Sequence, residues 1–174
     1  MKKKIYLAGG WFDKEQEEEH TRIYETIKEA FDVFNPRIEG EIKQQTSSDA
    51  MTDILIGNIE GIKNADLVLV IYDRKDTGTI WEAGCAYANK KPILYYAETL
   101  GDKPFNLMLA KTGSFAKTMA ELVIKLCDEN TFKFKDVYSD FKGDIEWQTK
   151  NYKIFTNSKT LFAITQDLDL KMSQ

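Results

Sequence analysis

Two carboxylates carry the first chemical suggestion in this chain: Asp76 and Glu82, within Asp76-Thr77-Gly78-Thr79-Ile80-Trp81-Glu82-Ala83-Gly84. An ionised carboxylate held rigidly in a cleft can attack the anomeric carbon of a sugar and form a glycosyl-enzyme, as retaining glycosidases do. A second acid close by can handle the proton of the leaving group. Each residue also has a plain structural reading, since an acid near a helix start is a favourable end-charge and an aspartate before Thr-Gly forms turns. The chemical reading gains weight because the two acids flank a glycine turn.

The elements around the pair decide where it sits. Ala65-Asp66-Leu67-Val68-Leu69-Val70-Ile71-Tyr72 is a nearly continuous apolar run, the pattern of a strand buried on both faces of a parallel sheet. The small and polar residues after it read as a turn into a helix over about residues 79–89. Both acids then fall at the carboxyl end of a central strand, the edge where open α/β sheets bind ligands. The N–H groups and dipole at the helix start stabilise an exposed carboxylate by roughly 0.3–1 kcal/mol, which predicts an ionised Glu82. Ala83, Gly84, Cys85 and Ala86 let the helix pack closely on the sheet and help to fix the carboxylate.

The same alternation runs along the chain. Residues 3–8 read as a first strand, and Gly9-Gly10 follows, where absent Cβ atoms let backbone or ligand approach. A helix over 15–31 places Ile23, Ile27, Ala30 and Phe31 on a buried stripe, and a short strand over 32–36 follows. Residues 37–48 have no clear period and read as a loop. Asp49 can cap a helix to about residue 64, with Met51, Ile54, Leu55, Asn58, Ile59 and Ile62 on one face. Asn58 interrupts that apolar face, so it either bonds inside the core or points into a site.

Strands over 91–96 and around 114–116, a turn at 101–104 leading into 105–109, and a helix over 119–127 complete the pattern. The expected fold is α/β: a doubly wound, mostly parallel five-stranded sheet with helices on both faces, flavodoxin- or Rossmann-like. Residues 1–147 are expected to form one domain, with 148–174 a C-terminal extension of unassigned role.

Composition removes several classes. The 174 residues are 43% hydrophobic and 30% charged with a formal charge of −4, which argues against nucleic-acid binding through a basic surface. Apolar runs stay far short of the roughly 18 residues of a membrane helix, and residues 1–10 read as a strand and not a signal peptide, so the expectation is a cytoplasmic protein without membrane contact. Cys85, Cys127 and the one histidine, His20, make no zinc set, and free buried thiols in a reducing cytosol are expected. His20 follows Glu15-Gln16-Glu17-Glu18-Glu19 and reads as a solvated surface residue, which leaves a histidine-based triad without its base. Dinucleotide and phosphate-loop glycine fingerprints are absent, and neither metal nor organic cofactor is expected.

Taken in order, Ile5-Tyr6-Leu7-Ala8-Gly9-Gly10-Trp11-Phe12, Asn58-Ile59-Glu60-Gly61-Ile62-Lys63, residues 66–72, Asp76-Thr77-Gly78 through Glu82-Ala83-Gly84, and Lys103-Pro104-Phe105-Asn106-Leu107-Met108 resemble the nucleoside 2-deoxyribosyltransferases over roughly residues 3–125. The resemblance implies exchange of a deoxyribosyl group from a deoxynucleoside donor to a free base acceptor. In it Glu82 corresponds to the nucleophile, Asp76 to the acid that protonates the base, and Tyr6 to the tyrosine that orients the glutamate. Gly9, Trp11, Phe12 and Asn58 fall at substrate-binding places, the two aromatics as a wall against the base. Asn106 resembles an asparagine that reaches a neighbouring subunit's sugar, which implies a homo-oligomer built on dimers, with a hexamer among the options.

Two departures stand out. Some members have an aspartate where this chain has Asn58, and an amide can both donate and accept, which leaves base preference open. Some members also end soon after a site-closing aromatic; Trp147 stands near that place, but 27 residues follow it, so no role passes to the terminal carboxylate. The alternatives to transfer are hydrolysis of a nucleoside or its 5′-monophosphate by water, and a non-catalytic nucleotide-binding module.

Overall fold

A computed structural model describes residues 1–39 and 47–146; most of the segment read as a loop, together with Trp147 and the 148–174 extension, lies outside the described residues. In chain order the elements are β1 (Lys4–Ala8), α1 (Lys14–Ile27), β2 (Asp32–Phe34), α2 (Pro36–Glu39), α3 (Ser48–Asn64), β3 (Leu67–Ile71), α4 (Thr77–Ala88), β4 (Ile93–Tyr96), β5 (Phe105–Asn106), α5 (Leu107–Thr112), β6 (Ser114–Ala116), α6 (Met119–Cys127) and β7 (Ile145–Glu146). Five strands form a parallel sheet in the order β2-β1-β3-β4-β6, and β5 pairs with β7 in a small second sheet. The expected doubly wound fold is the observed one.

The two faces of the sheet follow from the period of two along each strand. Tyr6, Ala8, Val68, Val70 and Tyr95 meet Ile62, Ala83, Ala86 and Ala110 on one side. Ile5, Leu7, Leu67, Leu69 and Leu94 meet Ile23, Ile27, Leu122 and Leu126 on the other. Every residue of β3 is buried, and each such aliphatic side chain contributes about 1.5–3 kcal/mol through burial. This double-sided core fixes the strand end from which Asp76 and Glu82 project.

Several local expectations are corrected. Helix α1 stops at Ile27, and its buried stripe is His20, Ile23 and Ile27, while Ala30 is exposed. His20 is therefore a core residue and not a solvated one: it lies three positions before Ile23 and shares its face. At the start of the expected loop over 37–48, residues 36–39 form α2, started by Pro36 and by Asn35, whose Oδ1 accepts from Arg37 N at 3.1 Å. Ser47, and not Asp49, caps α3.

Of the apolar face expected on α3, only Ile62 is fully buried, and Met51 and Leu55 stay about half exposed, as does Ile56 outside that face. Helix α3 lines a cavity through Ile54 and Asn58, and the apolar residues of its amino-terminal half lack the sheet cover that Ile62 has. Both cysteines are free, but Cys127 is exposed and only Cys85 is half-buried. No described helix is long and apolar enough to cross a membrane.

Candidate active site

Tyr6 Oη donates to Glu82 Oε1 at 2.5 Å, linking the middle of β1 to the second turn of α4. Tyr6 is fully buried and stacks on Phe34 with ring centroids 5.3 Å apart, so its hydroxyl has one direction to point. Burial, then the Glu82 charge, pushes the phenol far above its ordinary pKa, which keeps it a neutral donor.

Glu82 itself is not the fully ionised acid that its place near a helix start suggested. Burial pushes its pKa up to about 7; the Tyr6 bond works against this and the charge of Asp76 adds to it. By the second turn the helix end contributes little, and desolvation wins. Near neutral pH the carboxyl can therefore exist in both states, which suits a group that must carry charge in one step and lose it in the next.

Asp76 caps α4. Its Oδ2 accepts from Thr79 N at 2.7 Å and Thr79 Oγ1 at 2.8 Å, which starts the helix at Thr77 and fixes the carboxyl at the cavity wall. The turn ahead of it is tied down independently. Asp73 is buried and accepts from Thr99 N and, at 2.8 Å, from Thr99 Oγ1, and Arg74, at φ 69°, pairs with Glu15 of α1. The turn-former and helix-start readings of this stretch are thus both true, and neither conflicts with chemistry at the same carboxyl.

These groups open on a cavity of about 650 Å³, within the range of small-molecule sites. Asp76, Glu82, Gly9, Trp11, Phe12 and Asn58 all line it, so six of the eight residues singled out from the sequence share one wall, and Tyr6 joins them through Glu82. Gly9 sits at a close approach: a Cβ would lie 2.9 Å from Ile71 Cδ1 and 3.1 Å from His20 Cδ2, so a larger residue requires both side chains to shift. Trp11 packs edge-on against His20 at 5.8 Å and stacks with Phe12 at 5.6 Å, while Phe12 stays 75% exposed.

Asn106 does not line this cavity. It is exposed and caps α5, its Oδ1 accepting from Met108 N at 3.0 Å. The cavity also contains residues the sequence reading passed over: Pro36, Arg37, Ile54, Gly78 and Thr79. Pro36 at the end of a strand was the available signal for the first two, because strand ends on this edge are where ligands sit. A smaller groove of about 310 Å³ lies at the opposite, amino end of β1 and β2, beside Lys4 and Asp32, away from both acids. No metal-holding cluster of His, Cys, Asp or Glu occurs among the described residues.

The family model described as nucleoside 2-deoxyribosyltransferase matches residues 5–119, well over half of the chain. The chain belongs to this family. A 2-deoxyribosyltransferase from Bacillus psychrosaccharolyticus is similar at 25% identity and TM-score 0.61, over 78% of this chain and 99% of that one. A conserved protein from Enterococcus faecalis shares the fold at 18% identity and TM-score 0.51, over 78% of this chain and 81% of that one. A CMP N-glycosidase from Clostridium botulinum matches at 21% identity and TM-score 0.46, over 71% of this chain and 97% of that one. No curated protein matches the sequence. Family membership makes the chain an enzyme of the glycosyl-transfer or glycosyl-hydrolysis type acting on nucleosides.

Proposed function

We propose that this enzyme transfers the 2-deoxyribosyl group of a 2′-deoxynucleoside to another purine or pyrimidine base, through a covalent intermediate on Glu82. The observation that carries the reading is the Tyr6–Glu82 bond at the wall of a cavity that Asp76 also lines. A carboxyl aimed by a neutral, fully buried donor is a positioned nucleophile, and a second acid beside it can serve the leaving base.

In the first step an oxygen of ionised Glu82 forms a bond to C1′, the C1′–N bond breaks, and the departing base nitrogen takes the proton of an Asp76 carboxyl that is protonated in the enzyme–substrate complex. In the second, the acceptor base gives a proton back to Asp76, its nitrogen bonds to C1′, and Glu82 leaves as a carboxylate. Trp11 and Phe12 provide flat faces for the base and Asn58 an amide for its edge. Neither step calls on a metal or an organic cofactor.

Asn106, outside the cavity of its own chain, is proposed to serve the sugar in a neighbouring subunit, so that the working form is a homo-oligomer with shared sites. Met51, Leu55 and Ile56, about half exposed on α3, and Met108, 62% exposed beside Asn106, support association. We place the enzyme in nucleoside salvage in the cytoplasm, which the two free thiols favour, and assign the catalytic domain to residues 1–147. Incubation with deoxyinosine and cytosine, following base release and new nucleoside together, tests the reading. Deoxycytidine is the expected product; free hypoxanthine without it would mean hydrolysis, and no reaction over several donor and acceptor pairs would mean a binding module.

A further inference from the structure

Among the described side chains that line the cavity, Arg37 is the one permanently charged donor, and the proposed chemistry gives it no task. It is not a loose surface arginine. Its backbone N–H donates to Asn35 Oδ1 at 3.1 Å, and Asn35 is buried at the carboxyl end of β2. Its guanidinium is braced from α1, with Nη1 donating to Thr21 Oγ1 at 3.2 Å and Nη2 paired with Glu17. Those two contacts use two of the five N–H donors of a rigid fork. The Glu17 side chain is 51% exposed, so the pair is solvent-screened and leaves the guanidinium its positive charge.

The neighbours of Arg37 say which end of a substrate it meets. Trp11, Phe12, Ile54 and Asn58 line the same cavity, and these are flat, apolar or amide groups suited to a heterocycle. Asn58 can present either the oxygen or the NH2 of its amide, and Asp76 can accept or donate according to its proton. Arg37 can only donate. A 6-oxopurine offers it the O6 acceptor, whereas adenine places an N6 amino group, itself a donor, at the same position.

We propose that Arg37 reads the base and makes the site selective for 6-oxopurine deoxynucleosides over 6-aminopurine ones. The inference rests on the deoxyribosyl-transfer reading only in identifying the heterocycle as a nucleobase. A charged hydrogen bond to a neutral acceptor is worth about 10- to 100-fold in binding, and a donor facing a donor forfeits that gain.

The test compares deoxyinosine with deoxyadenosine, and deoxyinosine with its 5′-monophosphate, on the full chain and on Arg37→Gln and Arg37→Lys. The native enzyme is expected to favour deoxyinosine in kcat/KM. Arg37→Gln is expected to lower kcat/KM for deoxyinosine about 10- to 100-fold and to change deoxyadenosine less than about 3-fold, with Arg37→Lys restoring part of the preference. An equal fall on both nucleosides would mean that Arg37 only braces α1 against α2, and a fall confined to the 5′-monophosphate would make it a phosphate ligand; either overturns the proposal. If the native chain turns over no donor, the transfer reading fails separately, and dissociation constants for free hypoxanthine and adenine decide. Tighter hypoxanthine binding that Arg37→Gln removes upholds the inference, and equal affinities refute it.

Discussion

Glu82→Gln should inactivate the enzyme and stabilise the fold, and the size of the gain follows from the site. The folded carboxyl holds its proton up to about pH 7 against an ordinary 4.5, chiefly because it is buried. A folded pKa above the unfolded one means that Glu82 costs nothing below pH 4.5, costs progressively more between 4.5 and about 7, and a constant amount above. That gap, at about 1.36 kcal/mol per pH unit, sets a ceiling of about 3 kcal/mol, and the partial exposure of Glu82 lowers the expectation to about 2. Glutamine has the same shape, still accepts from Tyr6 Oη through its carbonyl, and cannot ionise. At about 2–4 °C per kcal/mol for a chain of this size, Tm should rise by roughly 4–8 °C at pH 8 and by almost nothing near pH 4. Thermal melts of both proteins across that range measure it, and contributions from other titrating groups cancel in the difference. A variant that melts lower than the native enzyme at pH 8, or a difference flat in pH, would refute the burial argument.

Other outcomes follow from the same geometry. Because only ionised Glu82 can attack, the acid limb of kcat/KM for a deoxynucleoside should rise with pH toward about 7, and a profile flat from about pH 5 to 7 would contradict this. Tyr6→Phe removes the one bond that opposes the upward push on Glu82, so the midpoint of that profile should move higher while kcat falls about 10-fold or more; an unmoved midpoint would mean that the bond does not tune the acid. Gly9→Ala forces a Cβ against Ile71 and His20 and should cost about 1–3 kcal/mol in urea melts, with full stability counting against the packing described. Burial lowers the His20 pKa to about 4 from 6.5, so native stability should fall as pH drops through that window, and His20→Phe should flatten the acid limb; an unchanged limb would place the proton elsewhere.

The sheet was legible because β3 is apolar at every position and because strands and helices alternate, which leaves few topologies. In the wall formed by Gly9, Trp11, Phe12, Asn58, Asp76 and Glu82, the two acids were legible for the same reason, at the carboxyl end of β3, and Gly9 and Asn58 through a glycine turn and a break in an apolar helix face, whereas Trp11 and Phe12 came with the family resemblance alone. Arg37 was missed because residues 36–39 make a single short turn, too brief for any period to show. His20 was misread because an acidic run before it outweighed its three-residue spacing from Ile23, although only the latter reports the buried face. The face of α3 was overcalled since periodicity marks which residues are apolar but not whether a neighbour covers them: Ile62 lies over the sheet, and Met51 and Leu55 do not. The pairing of β5 with β7 joins residues 105–106 to 145–146, a match of two residues on each side that carries no local signal.

Intact-protein mass spectrometry after addition of a deoxynucleoside donor without acceptor tests the role of Glu82 most directly. One added deoxyribosyl group on the native chain, removed by acceptor base and absent from Glu82→Ala, is the predicted result. Base exchange retained by Glu82→Ala, or an adduct that survives that substitution, would contradict it.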